Sequence, residues 1–203
     1  MDGVPLIVAS PKTIAVYCGA RHALPVYEEA AANLGRLLAE KGHRLIYGGS
    51  DAGTMTTLAD AFFDAGGYAI GVSCEGVNNH MPIHARCQEK YVMKDLAERK
   101  AYMYNHADAA IALPGAVGTL DEIFDFAARR KFEFPAIRLG LLNVNGFYDP
   151  ILLMREKMRN AGFIHRWARG AMIIHSDPEY LLHKLLDTPP PGSEQESTEE
   201  VVY

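Results

Sequence analysis

The sequence predicts an α/β protein, a Rossmann-like, doubly wound parallel sheet with helices on both faces, built as one domain. Three observations carry that prediction. Short apolar, β-branched runs alternate with amphipathic helical stretches over residues 13–186, the rhythm that parallel strands and crossover helices produce. Two glycine-rich turns, at 48–53 and 114–119, each follow an apolar run and open a helical pattern, which is where open α/β sheets bind ligands. With 203 residues, 49% hydrophobic and 22% charged, the chain is long enough to bury one substantial core.

Taken in order, residues 13–18 read as the first strand. A helix follows over 25–41, with Pro25 at its start and Gly42 as its stop. Residues 44–47 are a short second strand, and the 48–53 turn leads into a helix ending near Gly66 and Gly67. Residues 68–72 and 88–93 give strands three and four. Asp95 caps a helix running to about His106. Strand five is the run 109–113, and a helix over 119–131 follows, with Ile123, Phe124 and Phe126 making it core-facing. Residues 138–144 form a sixth strand, 149–161 a helix closed by Gly162, and 172–175 a last strand. Asp177 and Pro178 start a final helix through Leu186.

These elements divide the chain into a short N-terminal extension (1–12), the domain (13–187) and an acidic tail (188–203). The tail is rich in Pro, Ser and Glu and is expected to be disordered. Its four glutamates, Glu194, Glu196, Glu199 and Glu200, account for most of the net charge of −5, so the body is nearly neutral. A near-neutral body gives no electrostatic case for nucleic acid as a partner. No apolar run approaches the roughly 20 residues that span a bilayer, and the first residues lack the pattern of a signal peptide, so neither membrane nor secretion is expected. Cys18, Cys74 and Cys87 form no close-spaced metal pattern and no even disulfide framework. The expected location is cytoplasmic.

The stretch Pro-Gly-Ala-Val-Gly-Thr-Leu-Asp-Glu, residues 114–122, is the most informative. A glycine-rich turn between a buried strand and a helix start aims backbone N–H groups and the positive end of the helix dipole at one point, which suits a phosphate. Thr119 adds a hydroxyl, and Glu122 an acid one turn further on. A phosphate grip with a carboxylate beside it points to chemistry on a nucleotide or sugar phosphate. Gly48, Gly49 and Gly53 form a second candidate turn, but it fits neither G-x-G-x-x-G nor a P-loop. By spacing alone, Arg99 and Lys100 read as a solvated helix face. His80 and His84 flank Pro82, so no helical metal pair is expected, and no metal is assigned. No Ser or Cys sits in a nucleophile elbow, and Cys18 reads as a small buried hydrophobe.

Together these segments resemble the LOG (Lonely Guy) family of cytokinin riboside 5′-monophosphate phosphoribohydrolases. That family has an Arg-Lys pair followed by P-G-G-x-G-T-x-x-E, matched here by Arg99-Lys100 and residues 114–122. Tyr47-Gly48-Gly49, Gly53, Met55 and the segment 140–150, Gly-Leu-Leu-Asn-Val-Asn-Gly-Phe-Tyr-Asp-Pro, extend the resemblance over most of the body. The resemblance implies a homodimer that hydrolyses the N-glycosidic bond of a nucleoside 5′-monophosphate to a free base and ribose 5-phosphate. Arg99 and Glu122 would be the catalytic pair. Lys100, Gly115, Ala116, Val117, Gly118 and Thr119 would contact phosphate and substrate, and Gly48, Gly49 and Gly53 would shape the rest of the pocket. No cofactor is implied, and the sequence gives no case for the pyridoxal phosphate chemistry of the family's older lysine decarboxylase label.

The chain departs from the family pattern in places. Ala116 replaces the second glycine of the motif, and Ala127-Ala128-Arg129-Arg130 replaces Thr-Trp-x-Gln on the following helix. Leu96-Ala97 stand for Met-His, Ser50 and Thr56 for further glycines, and Ser73-Cys74 for Ile-Pro. The core pair is kept while the base-recognition side differs. Two alternatives therefore accompany the leading expectation: the same reaction on a pyrimidine or modified nucleotide, and a non-catalytic nucleotide or cofactor carrier on the same scaffold.

Overall fold

Small and β-branched side chains place β1 (Thr13–Tyr17), β2 (Arg44–Tyr47), β3 (Tyr68–Cys74) and β5 (Ala109–Ala112) inside a single sheet. β4 (Glu89–Met93) closes one edge, and β6 (Arg138–Leu142) and β7 (Met172–His175) complete the other side. The computed structural model describes residues 10–129, 137–163 and 172–186. Every strand pair is parallel, in the order β4-β3-β2-β1-β5-β6-β7. The chain winds outward from β1 to β4, then returns to β1's other side with β5. That reversal lies at the carboxyl ends of β1 and β5, the place where doubly wound sheets take ligands.

The helices are α1 (Pro25–Glu40), α2 (Gly53–Asp64), α3 (Glu75–Asn78), α4 (Leu96–Asn105), α5 (Val117–Arg129), α6 (Asp149–Asn160) and α7 (Pro178–Leu186). Strand alternation splits the core into two layers. Ile14 and Val16 join Leu34 and Leu38 of α1, Leu58 and Phe62 of α2, and Leu181 and Leu185 of α7. Ala15 and Tyr17 face the other way, with Met103 of α4 and Ile123 and Phe126 of α5. Each large apolar side chain so buried stabilises the fold by about 1.5–3 kcal/mol. Because both faces are covered, the central strands are apolar throughout rather than alternating.

The expected elements are all present, with boundaries moved by identifiable contacts. β3 continues through Ser73 and Cys74 because β4 pairs with them, at Val92 and Met93, so tertiary pairing overrides weak strand propensity. The sixth strand stops at Leu142 instead of Val144. Asn145 and Gly146, at φ 51° and 70°, turn the chain into a 3-10 segment, Val144–Gly146. α5 begins at Val117, two residues earlier than expected, and α3 was not anticipated. Phe124 does not face the core: it is 50% exposed, while Ile123 and Phe126 are buried. The expected end of α5 at Lys131 and the acidic tail lie outside the described residues.

Candidate functional site

The site is assembled from the carboxyl ends of β2, β1 and β5 and the first turns of α4 and α5. Asp95 caps α4 by accepting from the Glu98 N–H at 2.9 Å, and Glu98 Oε2 accepts from the Lys94 N–H at 3.1 Å. That cap fixes the helix phase, so Arg99 and Met103, four residues apart, share the inward face with Tyr104. Arg99 is only 8% exposed. Its Nε donates to the Val72 carbonyl at 2.9 Å, and its Nη2 lies 3.5 Å from Glu122 Oε1. The solvated face read from spacing alone does not hold for Lys100 either: its side chain is 15% exposed, with the ammonium 2.9 Å from Asp121 and 3.5 Å from Asp125. Those contacts tie α4 to α5.

Glu122 comes from α5 and is 7% exposed. Burial pushes its carboxyl up to about 7, against the attraction of Arg99, with Asp121 adding to the rise and Lys100 opposing it. An acid pushed up to near neutrality, at the sheet's reversal and next to a buried cation, has the character of a functional group. Tyr17, the last residue of β1, and Cys18, which follows it, lie within reach of the Glu122 charge. Both are buried, and burial raises the phenol and the thiol far above their ordinary range, with the Glu122 charge acting in the same direction.

The two glycine turns differ in what their helix starts do. In α5 the first intrahelical bond runs from the Leu120 N–H to the Ala116 carbonyl at 3.1 Å, so the amides of Val117, Gly118 and Thr119 precede it and point out of the helix start. Gly115 gives its side-chain space to Thr119, whose Oγ1 would lie 2.2 Å from a Cβ there. Thr119 Oγ1 is buried with no hydrogen-bond partner among the described residues. Gly118 borders open space. Ala116 is exposed, and Asn145 is the one non-glycine with positive φ among the described residues, so the alanine sits in the turn without backbone strain.

In α2 the corresponding amides are occupied. Thr54 N–H donates to the Arg21 carbonyl at 3.4 Å and Met55 N–H to the Gly19 carbonyl at 3.3 Å. Gly53, at φ 61°, packs against that same loop, where a Cβ would lie 2.3 Å from Arg21 N. Gly49, at φ 74°, packs on Gly71, and its carbonyl accepts from the His84 N–H at 2.7 Å. Gly48 is the member of this turn that meets the buried pair. A Cβ there would be 2.3 Å from Arg99 Nη2 and 3.0 Å from Met55 Sδ.

Residues 55–185 match a family model described as possible lysine decarboxylase. A cytokinin riboside 5′-monophosphate phosphoribohydrolase from Oryza sativa subsp. japonica is 37% identical over 175 residues, covering 86% of this chain and 72% of that protein. The chain belongs to the LOG family. A LOG-family phosphoribohydrolase of the same description from Rhodococcoides fascians is 37% identical over 173 residues, covering 84% of this chain and 87% of the relative. Among solved structures, the molybdenum cofactor binding protein from Rippkaea orientalis superposes with a TM-score of 0.65 at 25% identity, over 85% of this chain and 94% of its own.

One contact that supports the LOG-family motif escaped the sequence reading of individual side chains. Tyr148 is buried, and its hydroxyl donates to the Leu113 carbonyl at 2.6 Å, just ahead of Pro114 and Gly115. The visible signal was the segment 140–150, whose Asn143 accepts from the Tyr148 N–H at 2.7 Å and donates to Asp149 at 2.8 Å. Its sequence marks a turn; the 35-residue reach to the cradle does not show in it. Of the histidines, His84 is buried beside Asp51 and Asp60, and no metal-holding cluster occurs among the described residues.

Proposed function

We propose that this protein hydrolyses the N-glycosidic bond of a nucleoside 5′-monophosphate, releasing a free base and ribose 5-phosphate. The observation that carries the reading is the buried Arg99–Glu122 pair at the sheet's reversal, with Glu122 on the helix whose first amides precede its first intrahelical bond. The LOG-family relatives named for this reaction support it. The phosphate rests on the amides of Val117, Gly118 and Thr119, with Gly115 and Ala116 forming the turn and Gly118 leaving room for it. Holding the phosphate, remote from the reacting bond, orients the ribose.

In the reaction the C1′–N bond breaks, its electron pair leaves with the base, and a water oxygen bonds to C1′ while a proton ends on the base nitrogen. Positive charge grows on the sugar in the transition state, and the Glu122 carboxylate stabilises it. Arg99 favours the ionised form of Glu122 and contacts substrate. Gly48 admits the guanidinium, Gly49 and Gly53 set the wall behind it, and Lys100 holds α4 against α5 beside the phosphate.

The active assembly is a homodimer in this reading. α6 buries none of its residues and exposes Leu153, Met154 and Met158, an apolar face that a second copy would cover. The three cysteines are free and buried, in keeping with a reducing, cytoplasmic compartment, and no helix among the described residues is long and apolar enough to cross a membrane.

A second reading, a nucleotide or cofactor carrier, is favoured by the likeness to the molybdenum cofactor binding protein. One panel separates the readings. The protein is incubated with purine, pyrimidine and N6-modified monophosphates, and free base and ribose 5-phosphate are measured. Release from a purine monophosphate supports the leading reading. Release from pyrimidine nucleotides alone moves the substrate class, and tight binding without release supports the carrier.

A further inference from the structure

The loop that leaves β1, residues 19–24, lies between the two glycine turns because β1 pairs with β2 on one side and β5 on the other. Its carbonyls take the first amides of α2, at Gly19 and Arg21. The same junction is held from a third direction by Glu28, in the first turn of α1. Glu28 Oε1 accepts from the Ala23 N–H at 2.8 Å and from Thr54 Oγ1 at 2.8 Å. Its Oε2 accepts from Thr57 Oγ1 and lies 3.5 Å from His22 Nδ1. Burial pushes this carboxyl up, but its donors outweigh burial and hold it below the usual range. Thr54 is next to Met55, whose sulfur borders Gly48 and the Arg99 guanidinium. Glu28 thus connects the rim loop, the start of α2 and the wall beside the buried pair.

We propose that Glu28 is a positioning residue for the substrate pocket, clamping the 19–24 loop onto α2 so that the rim is ordered before substrate arrives. The proposal rests on the phosphoribohydrolase reading for its kinetic consequence. A loop left loose must be ordered on binding, and that cost falls on affinity. It weakens ground state and transition state alike, so it raises KM and leaves kcat in place. A side chain needed only for folding would instead lower the active fraction and thus the apparent kcat. Glutamine keeps one carbonyl acceptor for Ala23 and Thr54, and the Thr57 hydroxyl can turn to accept from its amide, so it preserves the clamp that alanine removes.

The test compares wild type, Glu28→Ala and Glu28→Gln by steady-state kinetics on the best monophosphate of the panel. Amide hydrogen exchange over residues 19–24 is followed in the same proteins. Expected for Glu28→Ala are a roughly tenfold rise in KM, kcat within about twofold of wild type, and faster exchange confined to the rim loop and the start of α2. Glu28→Gln restores KM and protection. An unchanged KM in Glu28→Ala, a KM equally raised in Glu28→Gln, or unaltered exchange would overturn the proposal. If wild type hydrolyses no nucleotide, the catalytic reading fails separately. The clamp is then judged by exchange together with calorimetric binding of ribose 5-phosphate, which Glu28→Ala weakens and Glu28→Gln does not.

Discussion

Arg99 Nη2 stands 3.5 Å from Glu122 Oε1, and the two side chains, one from each side of β5 in sequence, are both almost wholly withdrawn from water. A guanidinium cannot relieve its burial by losing a proton, so its charge is balanced by the Val72 carbonyl and the carboxylate. The carboxyl can. Burial outweighs Arg99 and brings Glu122 to about 7, which makes the ionisation of this carboxyl responsive to pH and to whatever binds beside it.

Removing either partner is expected to abolish most turnover. Arg99→Ala and Glu122→Gln should each lower kcat/KM by about 100-fold or more, the scale seen when one electrostatic contact to a developing charge is lost. Single-turnover release of base from the best substrate measures this. Near wild-type rates in both variants would remove the pair from the reaction.

Stability should depend on pH through Glu122 in a defined sense. Burial pushes its folded carboxyl up to about 7 from the ordinary 4.5. The neutral form is therefore favoured in the native state, and the stability it contributes is complete below about 4.5 and lost as pH rises through 7. Glu122→Gln should gain on wild type by about 3 kcal/mol between pH 4 and pH 8, on the order of magnitude that shift implies. Urea unfolding at pH 4, 6 and 8 tests the sign; a gain that shrinks as pH rises would contradict it. Activity should follow the opposite course, climbing through pH 7 as the carboxylate forms.

Gly48→Ala should be a catalytic lesion in a folded protein. The added methyl meets Arg99 Nη2 and Met55 Sδ, both ends of side chains that can move, so the backbone survives and the guanidinium is displaced. A displacement near 1 Å at such a site can cost about 100-fold. The expected result is a melting temperature close to wild type with kcat/KM reduced by one to two orders of magnitude.

Tyr148→Phe removes the donor to the Leu113 carbonyl and leaves that acceptor buried. The cost is about 1–2 kcal/mol of stability, with a KM raised several-fold because the turn before Gly115 is no longer anchored. Chemical denaturation and initial rates on the same preparation separate the two effects.

How far these features were legible in the sequence varies with the range of the contact involved. The strand–helix alternation, the Asp95 cap and the cradle at 114–119 are local, so periodicity and turn chemistry display them. Arg99 was harder, since Glu-Arg-Lys reads as a solvated face. Its four-residue spacing from Met103 was the clue to an inward side chain, and only the placement of β3 supplied the Val72 acceptor. Phe124 went the other way, an aromatic on an apolar helix that faces outward because Ile123 and Phe126 already fill the sheet side. The difference between the two glycine turns depends on where the 19–24 loop crosses α2. The Tyr148 anchor and the Glu28 clamp are likewise long-range, and no local pattern encodes them.

The buried thiols have a practical consequence. Cys18, Cys74 and Cys87 are all free and enclosed, and burial raises the thiols of Cys18 and Cys87, so thiolate, the form that alkylating reagents capture, is scarce at both. The native chain is therefore a quiet background for maleimide chemistry. A cysteine introduced at Phe124, which is exposed, would be the dominant labelled position. Spin or fluorescence labels there would report on the proposed dimer without first stripping the protein of its own sulfur.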